Sequence, residues 1–165
     1  LETDYIDRFI EEWSRSRPGT DVAAQAGILR MIRIASRLER RLAQISGAFD
    51  LNVGQFNVLT ALRRLDPTPL APKQLMQATL FSSGALTPIL DKLEQKHLVR
   101  RLTDPDDRRG VLVTLTNKGR HVIDAALAER ERENLALANA LSKEEQETFS
   151  RLARKLLIAV EGKQP

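Results

Sequence analysis

The sequence predicts a mainly α fold carrying one small β-hairpin, and three observations lead there. After Ser82, leucines at helical spacing (Leu86, Leu90, Leu93) give way to two β-favouring runs, Val99 to Leu102 and Val111 to Leu115. The link between those runs, Thr103 to Gly110, holds the Asp, Pro and Gly of a turn, with Asp104, Asp106, Asp107, Arg108 and Arg109 at its far end. Two shorter helices come before this stretch and longer helices flank the whole. A helix, a strand, a charged turn and a second strand, in that order, make a winged helix-turn-helix.

Each element follows from local pattern. Residues 4–17 place Tyr5, Ile6, Phe9 and Trp13 on one side of a short helix that Pro18-Gly19 ends. Trp13 reads either as a packing anchor or as the wall of a ligand pocket. From Thr20 or Asp21 to Ser46 runs a long helix whose regular stripe (Val22, Leu29, Ile32, Ala35, Leu38, Leu42, Ile45) is widened by Ile28, Met31 and Ile34. A helix apolar on more than one side is sandwiched, here between its own lobe and a second subunit. Asn52 caps a helix from Val53 to Leu65 with Phe56, Leu59 and Leu62 inward. Pro72 opens the next, Lys73 to Ala78, with Leu75 and Met76 toward the core. Thr79 to Phe81 then joins it to the helix beginning at Ser82 or Ser83. Thr116 starts a long helix reaching about Ala140, with Val122, Ala126 and Leu127 as apolar positions. Ser142 and Glu145 spell a capping box for the last helix, which carries Phe149, Leu152, Leu156 and Val160 on one face. The expected organisation is one domain over residues 1–165, with dimerisation helices at 1–48 and 117–165 and the winged helix-turn-helix lobe at 52–116.

The chemistry sits on the helix after Ser82 and on the hairpin tip. Opposite the leucines lie Thr87, Pro88, Lys92 and Gln95, a small, polar and basic face that suits entry into a major groove, where base edges and phosphates both lie within reach. Since Pro88 offers no donor, base readout falls to Ser82, Ser83, Thr87 and Lys92. Lys73 stands where a preceding helix would meet a phosphate. At the tip, Asp107 and Arg108 can brace the loop while Arg109 enters a narrow minor groove. The plainer alternatives are an amphipathic helix with a solvated side and a solvated turn.

At these residues the chain resembles the MarR family of bacterial transcription regulators. The matches are Ser82-Ser83, Thr87, Leu90-Asp91, Leu93-Glu94, Leu98-Val99, Arg101, Asp104, Asp107-Arg108-Arg109, Leu115-Thr116 and Gly119. Two departures matter. His97 replaces the family's usual glycine at a helix exit that often needs positive φ, and Pro88 replaces an Arg or Asn that often addresses bases. The resemblance implies a homodimer on a pseudo-palindromic duplex site, acting as a repressor. An activator, and a protein-interaction module without DNA binding, are the alternatives. The N-terminal extension resembles the urate-responsive, PecS-like branch, in which a tryptophan, an aspartate and two arginines line a cleft. Here the corresponding residues are Trp13, Asn57, Ile89 and Arg101, so the charged pair is missing. That substitution implies a small neutral or aromatic effector, or none.

Composition bounds the remainder. A chain of 165 residues, 42% hydrophobic, can bury a core, and a net charge of +4 is compatible with a nucleic-acid partner. Having no cysteine excludes disulfides and thiol-based sensing, and two histidines make a zinc or copper sensor a poor fit. No stretch approaches a membrane span or a signal peptide, so a cytoplasmic setting without a membrane partner is expected. No P-loop, dinucleotide fingerprint, nucleophile elbow or metalloprotease motif is present, so neither an enzyme nor a cofactor is expected.

Overall fold

The first helix, α1 (Tyr5–Ser16), is held at its start by a reciprocal cap: Asp4 Oδ1 accepts from the Ile6 and Asp7 amides at 2.7 and 3.0 Å, and Asp7 Oδ2 accepts from the Asp4 amide at 2.8 Å. The structure, a computed structural model, describes residues 2–105, 107 and 110–162. It divides into two compact units, one up to Phe56 and one from Asn57 onward.

In the first unit α1 packs on α2 (Ala26–Ala48) through the buried Ile6 and through Arg30. The Arg30 guanidinium reaches Asp4 at 2.7 Å and Asp7 at 2.6 Å, and this holds the Asp4 carboxyl down at about 2. Arg33 lies over the Tyr5 ring at 4.1 Å. The single long helix expected from residue 20 or 21 starts later. Asp21 accepts from the Ala24 amide at 3.0 Å, and Ala23–Gln25 form a 3-10 turn before α2 begins. The tighter turn is a common helix entry, because it satisfies an amide one residue sooner. Only Ile45 and Ser46 of α2 are buried, while Ile28, Ile32, Ile34 and Leu38 are exposed. The next helix, α3 (Val53–Arg64), opens on the cap expected at Asn52, whose Oδ1 accepts from the Gln55 amide at 2.8 Å while Gln55 Oε1 accepts from the Asn52 amide at 3.0 Å.

The second unit continues through α4 (Pro72–Thr79), α5 (Ser83–Gln95), β1 (Val99–Thr103), β2 (Val111–Leu115), α6 (Asn117–Ala138) and α7 (Lys143–Glu161). Its core draws Leu59 and Leu62 from α3, Leu75 from α4, Leu86, Leu90 and Leu93 from α5, and Val99, Val113 and Leu115 from the hairpin. The strands are antiparallel with Val99 opposite Leu115, and Leu70 extends the sheet by exchanging both backbone bonds with Val113. The first strand is one residue longer than its apolar run because Thr103 still pairs with Val111.

One joint orients these elements. His97 adopts φ 57, as the missing glycine demands, and closes α5 by donating its amide to Glu94 at 2.8 Å, while the Leu98 amide reaches back to Leu93 at 2.9 Å. Thr116 caps α6 by accepting from the Gly119 amide at 2.9 Å, and its hydroxyl donates to the His97 carbonyl at 2.7 Å. Of the apolar positions Val122, Ala126 and Leu127 of α6, only Ala126 is buried. Gly119, Ile123 and Ala126 are the buried positions, because the helix meets the lobe through its glycine and so turns Val122 and Leu127 to the flanks. Two forked pairs secure it: Arg120 to Asp66, both bonds at 2.7 Å, and Arg63 to Asp124 at 2.6 and 3.3 Å. Beyond Ala126 no residue of α6 is buried, and none of α7 is.

A Cβ on Gly119 would overlap the Leu98 carbonyl, which is backbone and cannot swing aside. Gly119→Ala should therefore destabilise the chain by about 1–3 kcal/mol, the usual range for overpacking. Chemical denaturation should show this as a lower midpoint, with Gly27→Ala, where a Cβ meets nothing, as the control.

Candidate nucleic-acid interface

The second helix of the pair, α5, starts cleanly because Ser82 Oγ accepts from the Ala85 amide at 3.3 Å. The helix before it begins on Pro72, with Gln74 reaching back to accept from the Ala71 amide at 2.8 Å. Leu80 makes the turn between them in the left-handed region at φ 58 and is 90% exposed. With Leu86, Leu90 and Leu93 fixed in the core, Ser82, Ser83, Thr87, Pro88 and Lys92 are left exposed on α5, and Lys73 is exposed in the first turn of α4. Thr87 spends its hydroxyl proton on the Ser83 carbonyl at 3.1 Å.

The hairpin is tied to this helix by Arg101. From β1 its guanidinium donates to Asp91 and to Glu94 of α5, each at 2.6 Å, while Glu94 also accepts the Arg101 amide at 3.1 Å. The Asp91 bond raises the pKa of the guanidinium above its already high value; burial opposes that shift and Glu94 adds to it. The tip narrows at Gly110, whose amide donates to the Asp107 carbonyl at 2.8 Å and whose carbonyl accepts from Asp104 at 3.0 Å. Asp107 is exposed there. Arg108 and Arg109, the residues expected to work beside it, lie outside the described residues.

The four residues of the expected ligand cleft are placed as follows. Trp13 sits on α1, 41% exposed, stacked on Phe9 at 5.8 Å and beneath Arg17 at 5.5 Å. Asn57 lines a cleft of about 220 Å³ with Thr60, Ala61, Arg64, Ala78, Thr79 and Leu80, and Thr60 Oγ1 is buried without a partner. Arg101 borders a different cleft, also about 220 Å³, with Ser83, Thr87, Leu90 and Val111 among its other walls. Ile89 is half-buried on α5 and lines neither. The Arg101 bonds to Asp91 and Glu94, and the forks of Arg63 and Arg120, were not foreseen. Their partners lie 7 to 61 residues away, and spacing carries no signal over such distances. Among the described residues no group of three or more His, Cys, Asp or Glu is placed to hold a metal ion, and no helix is long and apolar enough to cross a membrane.

The profile of the MarR family matches residues 51–111, from the start of the lobe to the second strand. The transcriptional regulator HosA of Escherichia coli O111:H- is 33% identical over 110 residues, which cover 67% of this chain and 80% of HosA. The chain belongs to the MarR family of winged-helix regulators. Within the family, the HTH-type transcriptional regulator PecS of Dickeya dadantii is 28% identical over 141 residues, 85% of each chain, so likeness to PecS reaches well outside the lobe. In fold, the S. aureus MepR-DNA complex superposes with a TM-score of 0.71 at 24% identity, covering 81% of this chain and 96% of MepR. Against the MarR pattern, Pro88 is accommodated inside a continuous α5, and His97 takes the glycine conformation.

Because Arg101 and its two acids remain a third to a half exposed, screening limits each bond to about 0.5–1 kcal/mol. Arg101→Met should lower stability by about 1–2 kcal/mol, while Asp91→Asn and Glu94→Gln should each lose less. The two acid substitutions should be less than additive, since they share one guanidinium. Denaturant midpoints for the single and double variants measure this.

Proposed function

We propose that this MarR-family chain binds duplex DNA as a homodimer and represses transcription from a pseudo-palindromic site by blocking polymerase. One α5 would enter the major groove of each half-site, and one hairpin tip would reach the flanking minor groove. The observation that carries this reading is the exposed, core-anchored face of α5, with Ser82, Ser83, Thr87 and Lys92 outward, Lys73 nearby in sequence on α4, and the wing clamped to it by Arg101. The MepR complex with DNA, which shares the fold, supports it. Lys73 and Lys92 would neutralise phosphates, with Arg108 and Arg109 adding the tip, Asp107 bracing it, and Arg109 placed in the minor groove.

The dimer is supported by large apolar side chains that stand exposed among the described residues. In the first unit these are Ile28, Ile32, Ile34 and Leu38 of α2; in the second they are Leu135, Phe149, Leu152, Leu156 and Leu157 of α6 and α7. A monomer rarely exposes so many large side chains on adjacent turns. In this reading residues 1–48 and 117–165 serve dimerisation, residues 52–116 serve DNA, and the protein works in the cytoplasm. A small neutral or aromatic effector would be taken near Asn57, where the cleft offers an amide and an unpartnered hydroxyl beside alanine and leucine side chains. Activation in place of repression would use the same surfaces. The absence of a donor at Pro88 favours one other reading, a winged-helix module that binds protein.

Two measurements test the proposal. Affinity for duplex should fall with salt at a slope of about −0.9 per neutralised phosphate, as condensed counterions are released, whereas a flat response would favour the protein-binding module. Sedimentation should give a dimer at micromolar concentration; a folded monomer that binds an isolated half-site at full affinity would overturn the dimer.

A further inference from the structure

The outward face of α5 is defined by the inward one. With Leu86, Leu90 and Leu93 buried, the 3.6-residue period places Gly84, Pro88 and Gln95 directly opposite, with Ala85 and Lys92 beside them. Over the first two turns this centre line consists of Gly84, Ala85 and Pro88, all exposed. None has a polar side-chain atom. A Cβ on Gly84 would meet nothing within 4 Å, so the path to the backbone there is open. Pro88 also has no amide, so the backbone adds no donor to the face there. The neighbouring hydroxyl of Thr87 has already given its proton to Ser83.

We propose that α5 reads thymine methyl groups through Ala85 and Pro88, and that it discriminates against guanine. In the major groove guanine presents only acceptors, N7 and O6, and needs a donor from the protein, which Gly84, Ala85 and Pro88 in the first two turns do not have. Thymine presents a methyl group, which gains by being covered with carbon. The inference rests on the DNA-binding reading and makes it specific: the centre of each half-site is selected as T·A by carbon contact, and Lys92 and Ser83 at the ends of the face supply phosphate contacts.

A duplex enriched from a random library by the full chain serves as the probe. Each half-site thymine is replaced in turn by deoxyuridine, which removes only the methyl group, and binding is followed by fluorescence anisotropy at one salt concentration. One or two positions per half-site should lose about fourfold each, the size expected for uncovering one methyl carbon. The Pro88→Ala protein, with its helix content checked by circular dichroism, should show a smaller penalty at the same position. Unchanged binding of every deoxyuridine duplex, with the parent duplex still bound in a salt-dependent way, overturns methyl readout and leaves DNA binding intact. A full penalty in Pro88→Ala overturns the assignment to Pro88. A library that yields no enriched duplex overturns both readings.

Discussion

The lobe depends on a backbone-to-backbone contact at the exit of α5. His97 turns left-handed, Leu98 sends its amide back to Leu93, and the Leu98 carbonyl accepts from Thr116 at 3.0 Å while the first turn of α6 rests against it at Gly119. Three elements therefore share one peptide group. The end of α5, the start of β1 and the start of α6 cannot move independently without breaking hydrogen bonds around the buried Leu98 and Gly119. Lys118 adds to this by donating to the Lys96 carbonyl at 3.0 Å, which satisfies one of the acceptors that α5 leaves open at its C-terminus.

Around that joint, arginines on different elements act as geometric clamps. Arg101 sets the hairpin against α5, while Arg120 and Arg63 set α6 against the end of α3 and the loop after it. None is fully buried, so each contributes modestly to stability, and their main effect is directional because a planar fork accepts few orientations of its carboxylate. The clamps also decide what remains available to a partner. Arg101 is committed within the lobe, so an anion entering there would have to compete with two acids.

The division of labour on α5 follows from the same economy of polar groups. Ser82 closes the helix start and Thr87 bonds inward to the backbone, so the first two turns of the exposed face are left to carbon atoms, with Lys92 and Gln95 beyond them. Proline at this position would be costly in a helix that relied on its own ladder for order. Here the leucine stripe on the opposite side holds the helix in place, and its ends are capped independently.

Much of this was legible in the amino-acid sequence, where the signal was local. The Asn52 and Ser142 caps, the leucine period of α5, the strand runs and the need for positive φ at His97 all depend on residues within a few positions of one another. The MarR pattern from Ser82 to Gly119 was recognisable for the same reason, since its motif residues are spaced by the elements they build. Other features were decided only by the tertiary structure. Which face of α6 turns inward depended on Gly119 meeting Leu98 across the chain, so Ile123 is buried while the neighbouring Val122 is only half-buried. The partner of Arg101 could not be read from β1, because both of its acids lie on the preceding helix and the choice requires knowing how the hairpin folds back. Periodicity gives each helix a face but no azimuth relative to its neighbours; that angle is set by close packing and by long-range ion pairs, and it determines which side chains are left for a partner to touch.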